Sequence, residues 1–203
     1  MHSERSVPQE IGDILRAGTV AHVAFSVEGQ PYVIPMLYHY DDPQPPAVSP
    51  NGSGPAAAAA APEGDSFGGR LYLHGSTRSR IMKHMAGGEP ICVSVTHVDQ
   101  LVASKTALNH SANYRSALCF GTGRVITDPD EKNEVLERMV SRYFEGRTVG
   151  RDYSRATSQH LKGTVLVKLV VDGFSAKARR GPPNGPGDDD PAAAGTAYLL
   201  ELL

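Results

Sequence analysis

Apolar and polar positions alternate along this chain in two distinct periods. Ile11, Ile14 and Leu15 recur at helical spacing and Gly18 supplies a stop, which predicts a short helix over 8–17. Residues 19–27 alternate loosely and are rich in Val and Phe, as a strand requires. Glu28-Gly29 reads as a hairpin turn into a second strand over 30–40. Residues 71–74 predict a short third strand. Ile81, Met82 and Met85 form a helical stripe that ends at Gly87-Gly88. Residues 91–98 alternate cleanly, with Ile91, Val93 and Val95 on one side and Cys92, Ser94 and Thr96 on the other. Asp99-Gln100 reads as a turn into 101–107, and 114–126 as another long strand.

The clearest helix follows. Asp128 is a good N-cap, Pro129 suits the first helical position and Glu131 completes a capping-box-like start. Val135, Leu136, Met139, Val140, Tyr143 and Phe144 then fall on one face, with Gly146 as the stop. The β-branched run 164–171 predicts a central strand, and Asp172-Gly173 a turn into 174–179. The expected fold class is mainly β with flanking helices. About eight strands joined mostly by short turns favour an antiparallel barrel over a doubly wound sheet. Two segments break the pattern. The stretch 41–69 holds six prolines and an alanine run at 56–61, and reads as a long surface insertion. The tail after Arg180 is rich in Gly, Pro and Asp and predicts irregular structure up to Tyr198. The expected organisation is one domain over 1–183 and a tail over 184–203.

Composition narrows the function classes. The chain has 203 residues, 40% of them hydrophobic, enough for a sizeable core. A net charge of -2 argues against a dedicated nucleic-acid surface. No apolar run reaches the roughly 18 residues of a membrane span. The first residues lack a signal-peptide core, so a cytoplasmic protein is expected. Cys92 and Cys119 cannot build a disulfide framework and read as small hydrophobes on strands. Eight histidines form neither HxxH nor HExxH and there is no CxxC, so zinc has little support. A haem axial histidine needs no local motif and stays open. Neither GxxxxGK[ST] nor GxGxxG occurs.

Two constellations carry candidate chemistry. In Leu71-Tyr72-Leu73-His74-Gly75-Ser76-Thr77-Arg78-Ser79-Arg80 an apolar strand ends in hydroxyl groups and two arginines at a helix start. Free backbone N–H groups, hydroxyls and guanidinium groups together suit a phosphate. The other reading is a simple helix cap with water-facing arginines. In Asn109-His110-Ser111-Ala112-Asn113-Tyr114-Arg115-Ser116, donors surround one aromatic ring just before a strand. A planar heteroaromatic ligand would stack on Tyr114 and bond Asn113, Arg115 or Ser116, or the segment is a polar strand edge.

These stretches, taken in order, resemble the FMN-binding split β-barrel superfamily. The likeness is to its pyridoxamine 5'-phosphate oxidase-related branch, with the nitroimidazole resistance reductases and flavin-nucleotide-binding proteins. The matching segments are 18–25, 30–38, 71–76 through Ser79-Arg80, 113–116 before Phe120-Gly121, and 175–183. The resemblance implies a homodimer with FMN at the subunit interface. Ser76, Ser79 and Arg80 would hold the phosphate, and the ring would lie along Val33, Ile34, Pro35 and Met36. Asn113, Arg115 and Ser116 would add second-strand or partner contacts, and Lys177 would approach from the last strand. His74 would stand beside flavin and substrate as the catalytic residue. The implied function is an oxidoreductase passing electrons from NAD(P)H to a small acceptor, with a non-enzymatic flavin- or haem-binding protein as the alternative. The oxidases proper carry cations at the positions of Val33 and Tyr38 and a Ser-Arg-Lys run. This chain has Ser79-Arg80-Ile81 instead, which argues against oxidation of vitamin B6.

Overall fold

Two consecutive residues with positive φ, Glu28 at 52° and Gly29 at 79°, turn the chain through its first hairpin. That is the backbone of a type I′ turn, whose twist matches the strands it joins. The computed structural model describes residues 3–42 and 69–202, so most of the Pro/Ala-rich insertion lies outside the described residues. A 3₁₀ turn at Pro8–Glu10 leads into α1 (Ile11–Ala17). The hairpin strands are β1 (Val20–Val27) and β2 (Gln30–Leu37), paired in a register that sets Val23 opposite Ile34. Next come β3 (His39–Asp41), β4 (Arg70–Ser76) and α2 (Arg80–Ala86). The long strands β5 (Pro90–Ala103) and β6 (Ser111–Val125) precede α3 (Pro129–Tyr143) and α4 (Ser158–Lys162). β7 (Thr164–Arg179) and β8 (Tyr198–Glu201) complete the set.

The sheet order is β2-β1-β5-β6-β7-β4-β3, with β8 beside β5. β2 and β3 stand at opposite ends of that order, yet only Tyr38 separates them in the chain. Only Tyr38 therefore joins the two ends of the sheet order, the connection of a split barrel, which agrees with the expected fold class. At the seam Tyr38 has left the strand ladder. Its amide donates to the Tyr143 hydroxyl oxygen at 3.0 Å. The same hydroxyl faces the carbonyl oxygens of Tyr38 at 2.7 Å and Thr19 at 2.9 Å, to one of which it donates. Helix α3 thus satisfies the backbone groups that a sheet neighbour would otherwise take.

Two expected turns are absent. β5 runs straight through Asp99-Gln100 because those polar side chains are cross-strand partners: Asp99 of Arg115, Gln100 of Asn113. β7 runs through Asp172-Gly173, and Gly173 does not use the left-handed region that a tight turn would demand. Gly121 is required for a different reason. A Cβ there would lie 1.8 Å from the Val170 carbonyl oxygen, so β6 approaches β7 closely only because that side chain is missing. Helix α3 begins as expected, with Asp128 accepting from the Asp130 and Glu131 amides. It ends at Tyr143, leaving Phe144 as a non-helical cap whose amide donates to Val140 O.

The chain forms two compact units, each discontinuous in sequence. One comprises Met1–Gly18, Ser94–Leu118 and Ser175–Leu203, with Ile14, Leu15, Val95 and Val102 in its core. Its C-terminal stretch is irregular but anchored. Asp188 accepts from the Lys105 amide, the Gly185 amide and the Ser104 hydroxyl, and Tyr198 pairs with Ala103 at the start of β8. The other unit comprises Thr19–Val93 and Cys119–Phe174. There the apolar face of α3 packs Val135 and Met139 against Tyr72, Ile126 and Leu166. Among the described residues no helix is long and apolar enough to cross a membrane.

Candidate functional site

β4 delivers Ser76 to the end of the sheet, paired with Thr164 of β7. The chain then turns sharply. The Thr77 amide donates to Gly163 O at 3.0 Å, Ser79 N to Ser76 O at 2.9 Å, and Arg78 N to Ser76 Oγ at 3.2 Å. α2 folds back closely onto β4: a Cβ on Gly75 would come within 2.9 Å of Met82 Cγ, so that side chain would have to shift. Ser79 occupies the N-cap position of α2, yet its side chain makes no capping bond. The cap reading of this segment therefore leaves a hydroxyl unused. Arg78 and Arg80 are exposed and make no ion pair among the described residues. The Arg80 guanidinium lies 4.7 Å from the centroid of the Tyr32 ring, which ties this turn to β2.

β2 is an edge strand in the sheet order. Val33, Ile34 and Pro35 are exposed and Met36 is half-buried. Val33 alone leaves 59% of its surface open. An exposed apolar edge strand ordinarily needs a cover, whether another chain or a flat ligand. Pro31 and Pro35 remove two amide donors from that edge.

His74 sits two residues before Ser76 on β4, opposite Leu166. Leu37, Leu136, Met139, Val140, Tyr143 and Phe144 form an apolar pocket with it. Its Nδ1 is buried without a hydrogen-bond partner among the described residues. Burial holds its pKa below the ordinary histidine value, so the ring is neutral at neutral pH. A neutral imidazole in apolar surroundings can donate or accept one hydrogen bond or ligate a metal, but it is not a standing charge. The sequence sets the α3 stripe on one face, and Val135 and Met139 of that face pack in the core. Part of the stripe forms this pocket wall, and nothing in a helical repeat separates the two duties.

The remaining candidates lie in the other unit. Asn113 is buried. Its amide donates to Gln100 Oε1 at 2.8 Å and Gly181 O at 3.0 Å, and its oxygen accepts from Arg179 at 2.5 Å. Arg115 holds Asp99 in a fork, through Nη2 at 2.7 Å and Nε at 3.0 Å. That bond keeps the Asp99 carboxyl below the usual carboxylate range. Ser116 is half-buried on β6. Lys177 is exposed on β7, where its backbone bridges to Ser6. The structure thus brings His74, Ser76, Ser79 and Arg80 onto one strand-turn-helix element, while Asn113 and Arg115 are engaged with protein partners. Cys119 is buried, and burial pushes its thiol up to about 12, as befits an inert core residue.

No curated protein matches the chain. Among solved structures, the FAD and heme binding protein from Mycobacterium smegmatis is 29% identical. The match covers 97% of this chain and 82% of that one, with a TM-score of 0.74. The flavocytochrome Anf3 from Azotobacter vinelandii is 25% identical over 96% of this chain and 77% of that one, with a TM-score of 0.70. A putative 5-nitroimidazole antibiotic resistance protein from Bacteroides thetaiotaomicron shares the fold at 20% identity, covering 83% and 82% of the two chains with a TM-score of 0.57. The pyridoxamine 5'-phosphate oxidase family model matches residues 8–178, most of the chain. On that match, this chain belongs to the pyridoxamine 5'-phosphate oxidase family.

Proposed function

We propose that this chain binds a flavin nucleotide and works as a flavin-dependent oxidoreductase, passing electrons from NAD(P)H to a small acceptor such as a nitroaromatic or a quinone. The observation that carries the reading is the β4–α2 turn. It holds an uncapped Ser79 hydroxyl and an exposed Arg80 in a chain 29% identical, over 97% of its length, to an FAD and heme binding protein. The residues fit the group. Ser76, Ser79 and Arg80 offer hydroxyl and guanidinium donors to a phosphate, and the exposed apolar strand at Val33, Ile34, Pro35 and Met36 offers a face to a flat ring. FMN consists of riboflavin and one phosphate, and FAD carries the same phosphate, so this anchor serves either; FMN is the cofactor read from the sequence. A bound flavin supplies hydride and single-electron transfer.

The protein's own residues do the rest. Ser79 and Arg80 fix the phosphate end. β2 supports the ring. His74, neutral in its apolar pocket, orients an acceptor or exchanges one proton with it. A second copy of the chain covers the exposed β2 edge, which makes the protein a homodimer. Oxidation of vitamin B6 is outside the proposal, since Val33, Tyr38 and Ile81 stand where the oxidases carry cations. The test is the visible spectrum of the purified protein, with the released ligand identified by mass. Flavin bands near one per chain are the expected result, and failure to retain or acquire flavin overturns the reading.

One observation favours haem as well. Nδ1 of His74 is buried without a hydrogen-bond partner among the described residues, and its pocket is apolar, so the imidazole would be available to ligate a haem iron. Two similar proteins are a heme binding protein and a flavocytochrome. On this reading a Soret band accompanies the flavin bands and shifts or disappears in His74→Ala.

A further inference from the structure

Arg179, the last residue of β7, is nine-tenths buried, and no carboxylate pairs with it among the described residues. Its guanidinium has three acceptors, all neutral. Nη1 donates to Asn113 Oδ1 at 2.5 Å and to Gly181 O at 3.4 Å, and Nη2 donates to Pro182 O at 3.3 Å. Gly181, at a φ of 128°, turns the chain back so that these carbonyl oxygens face the arginine. Among the described residues the Nε–H and one Nη2–H have no acceptor. A buried cation bonded only to neutral groups keeps its whole charge in a poorly solvating place.

The side chain opens onto a cavity of about 250 Å³. Arg5, Arg180, Gly181 and Asn184 share the wall with it, and Glu4 brings one carboxylate. Arg180 is already neutralised, donating to both carboxylate oxygens of Glu10 at 3.2 and 2.5 Å. Arg5 makes no ion pair among the described residues. Arg5 and Arg179 therefore line one cavity in which Glu4 is the single acid among the described residues. All of these residues belong to the unit that contains both chain ends, and none belongs to the Ser76–Arg80 turn.

We propose that this cavity is a second anion site, which takes a phosphate group between Arg5 and Arg179. A guanidinium fork matches the oxygen spacing of phosphate, and the donors left over on Arg179 are an edge of that fork. The group arrives either as free phosphate or on a nucleotide. The site stands apart from the flavin reading and does not depend on it.

The test is calorimetric titration of the full chain, in low-chloride buffer, with inorganic phosphate and with adenosine 5'-monophosphate. Saturable binding near one per chain is expected. Equal affinity for the two probes identifies the phosphate alone as the ligand, and tighter binding of the nucleotide identifies a nucleotide phosphate. Arg5→Gln lies outside the buried network and should weaken binding about tenfold, the scale of one charge-assisted bond, at unchanged flavin content. Arg179→Gln should abolish it. Because that change also disturbs the contact with Asn113, Arg5→Gln decides the matter if Arg179→Gln does not fold. Arg80→Gln should leave this site intact. Absence of saturable binding up to ~10 mM overturns the proposal, the affinity there being too weak to report a built site. So does binding that ignores Arg5→Gln or is lost only in Arg80→Gln.

Discussion

The β4–α2 turn and the start of β6 carry similar inventories of donors, and the fold treats them differently. At the turn, Ser79 makes no capping bond, Arg78 and Arg80 are exposed, and His74 keeps a buried nitrogen without a partner among the described residues. On β6, both amide donors and the oxygen of Asn113 are in use, and Arg115 is locked to Asp99. Polar groups left open after folding mark a place where something else can bind. Polar groups saturated by protein mark a place where the fold itself is being held. Substitution in the two regions should therefore separate, the one acting on ligand affinity and the other on stability.

The largest effect belongs to the saturated region. Asn113→Ala strips the acceptor from the buried Arg179 guanidinium and two donors from its neighbours. The expected loss is about 3 kcal/mol of stability, the scale of breaking a buried, charge-assisted contact. Urea melts of parent and variant measure it. Flavin content per folded chain should barely change. A chain that melts normally but has lost its flavin would reverse the comparison and make Asn113 a ligand contact first.

The open region gives the next largest. Arg80→Ala should weaken flavin binding by about 1.5–3 kcal/mol, roughly tenfold to more than a hundredfold, if Arg80 bonds the phosphate. Stability should fall by at most about 1 kcal/mol, the scale of its exposed contact with the Tyr32 ring. Fluorescence titration with FMN and with FAD reads the first quantity, and the same urea melts read the second. Unchanged flavin affinity would remove Arg80 from the site and leave the turn a structural feature.

Much of this was legible in the chain before folding. Glu28-Gly29 announces its hairpin because few residue pairs accept two positive φ values in succession. Asp128-Pro129 announces α3 because the cap chemistry is local. The Ser76–Arg80 segment stands out because hydroxyls and arginines follow an apolar strand at once. What stayed hidden depends on partners far along the chain. Asp99-Gln100 looks like a turn until Arg115 and Asn113 arrive beside it. The Tyr143 hydroxyl that serves Tyr38 is 105 residues away, and Arg179 meets Asn113 across 66. The tail after Arg180 has no periodic pattern because Asp188 anchors it through single hydrogen bonds to the segment after β5. Local chemistry is readable from local sequence, whereas pairing of distant polar groups becomes visible only when the sheet assembles.

His74 supplies the smallest predicted effect and the one that most directly probes the open region. Burial holds its pKa below 6.5 in the folded protein. As pH falls through about 6.5 the unfolded chain takes up a proton at this residue and the folded chain does not. The unfolded state then binds more protons, so stability rises with pH in this window. The contribution is complete above the unfolded value and is lost as the solution is acidified toward the folded one. His39 pulls in the same direction, because burial lowers its pKa despite the Asp41 carboxylate 2.6 Å away. Urea midpoints between about pH 7.5 and pH 5 should therefore decline in the parent and decline less steeply in His74→Phe, with the His39 share remaining. If the two slopes coincide, the imidazole is already solvated in the folded state, and the pocket between β4 and α3 is wetter than its apolar lining implies.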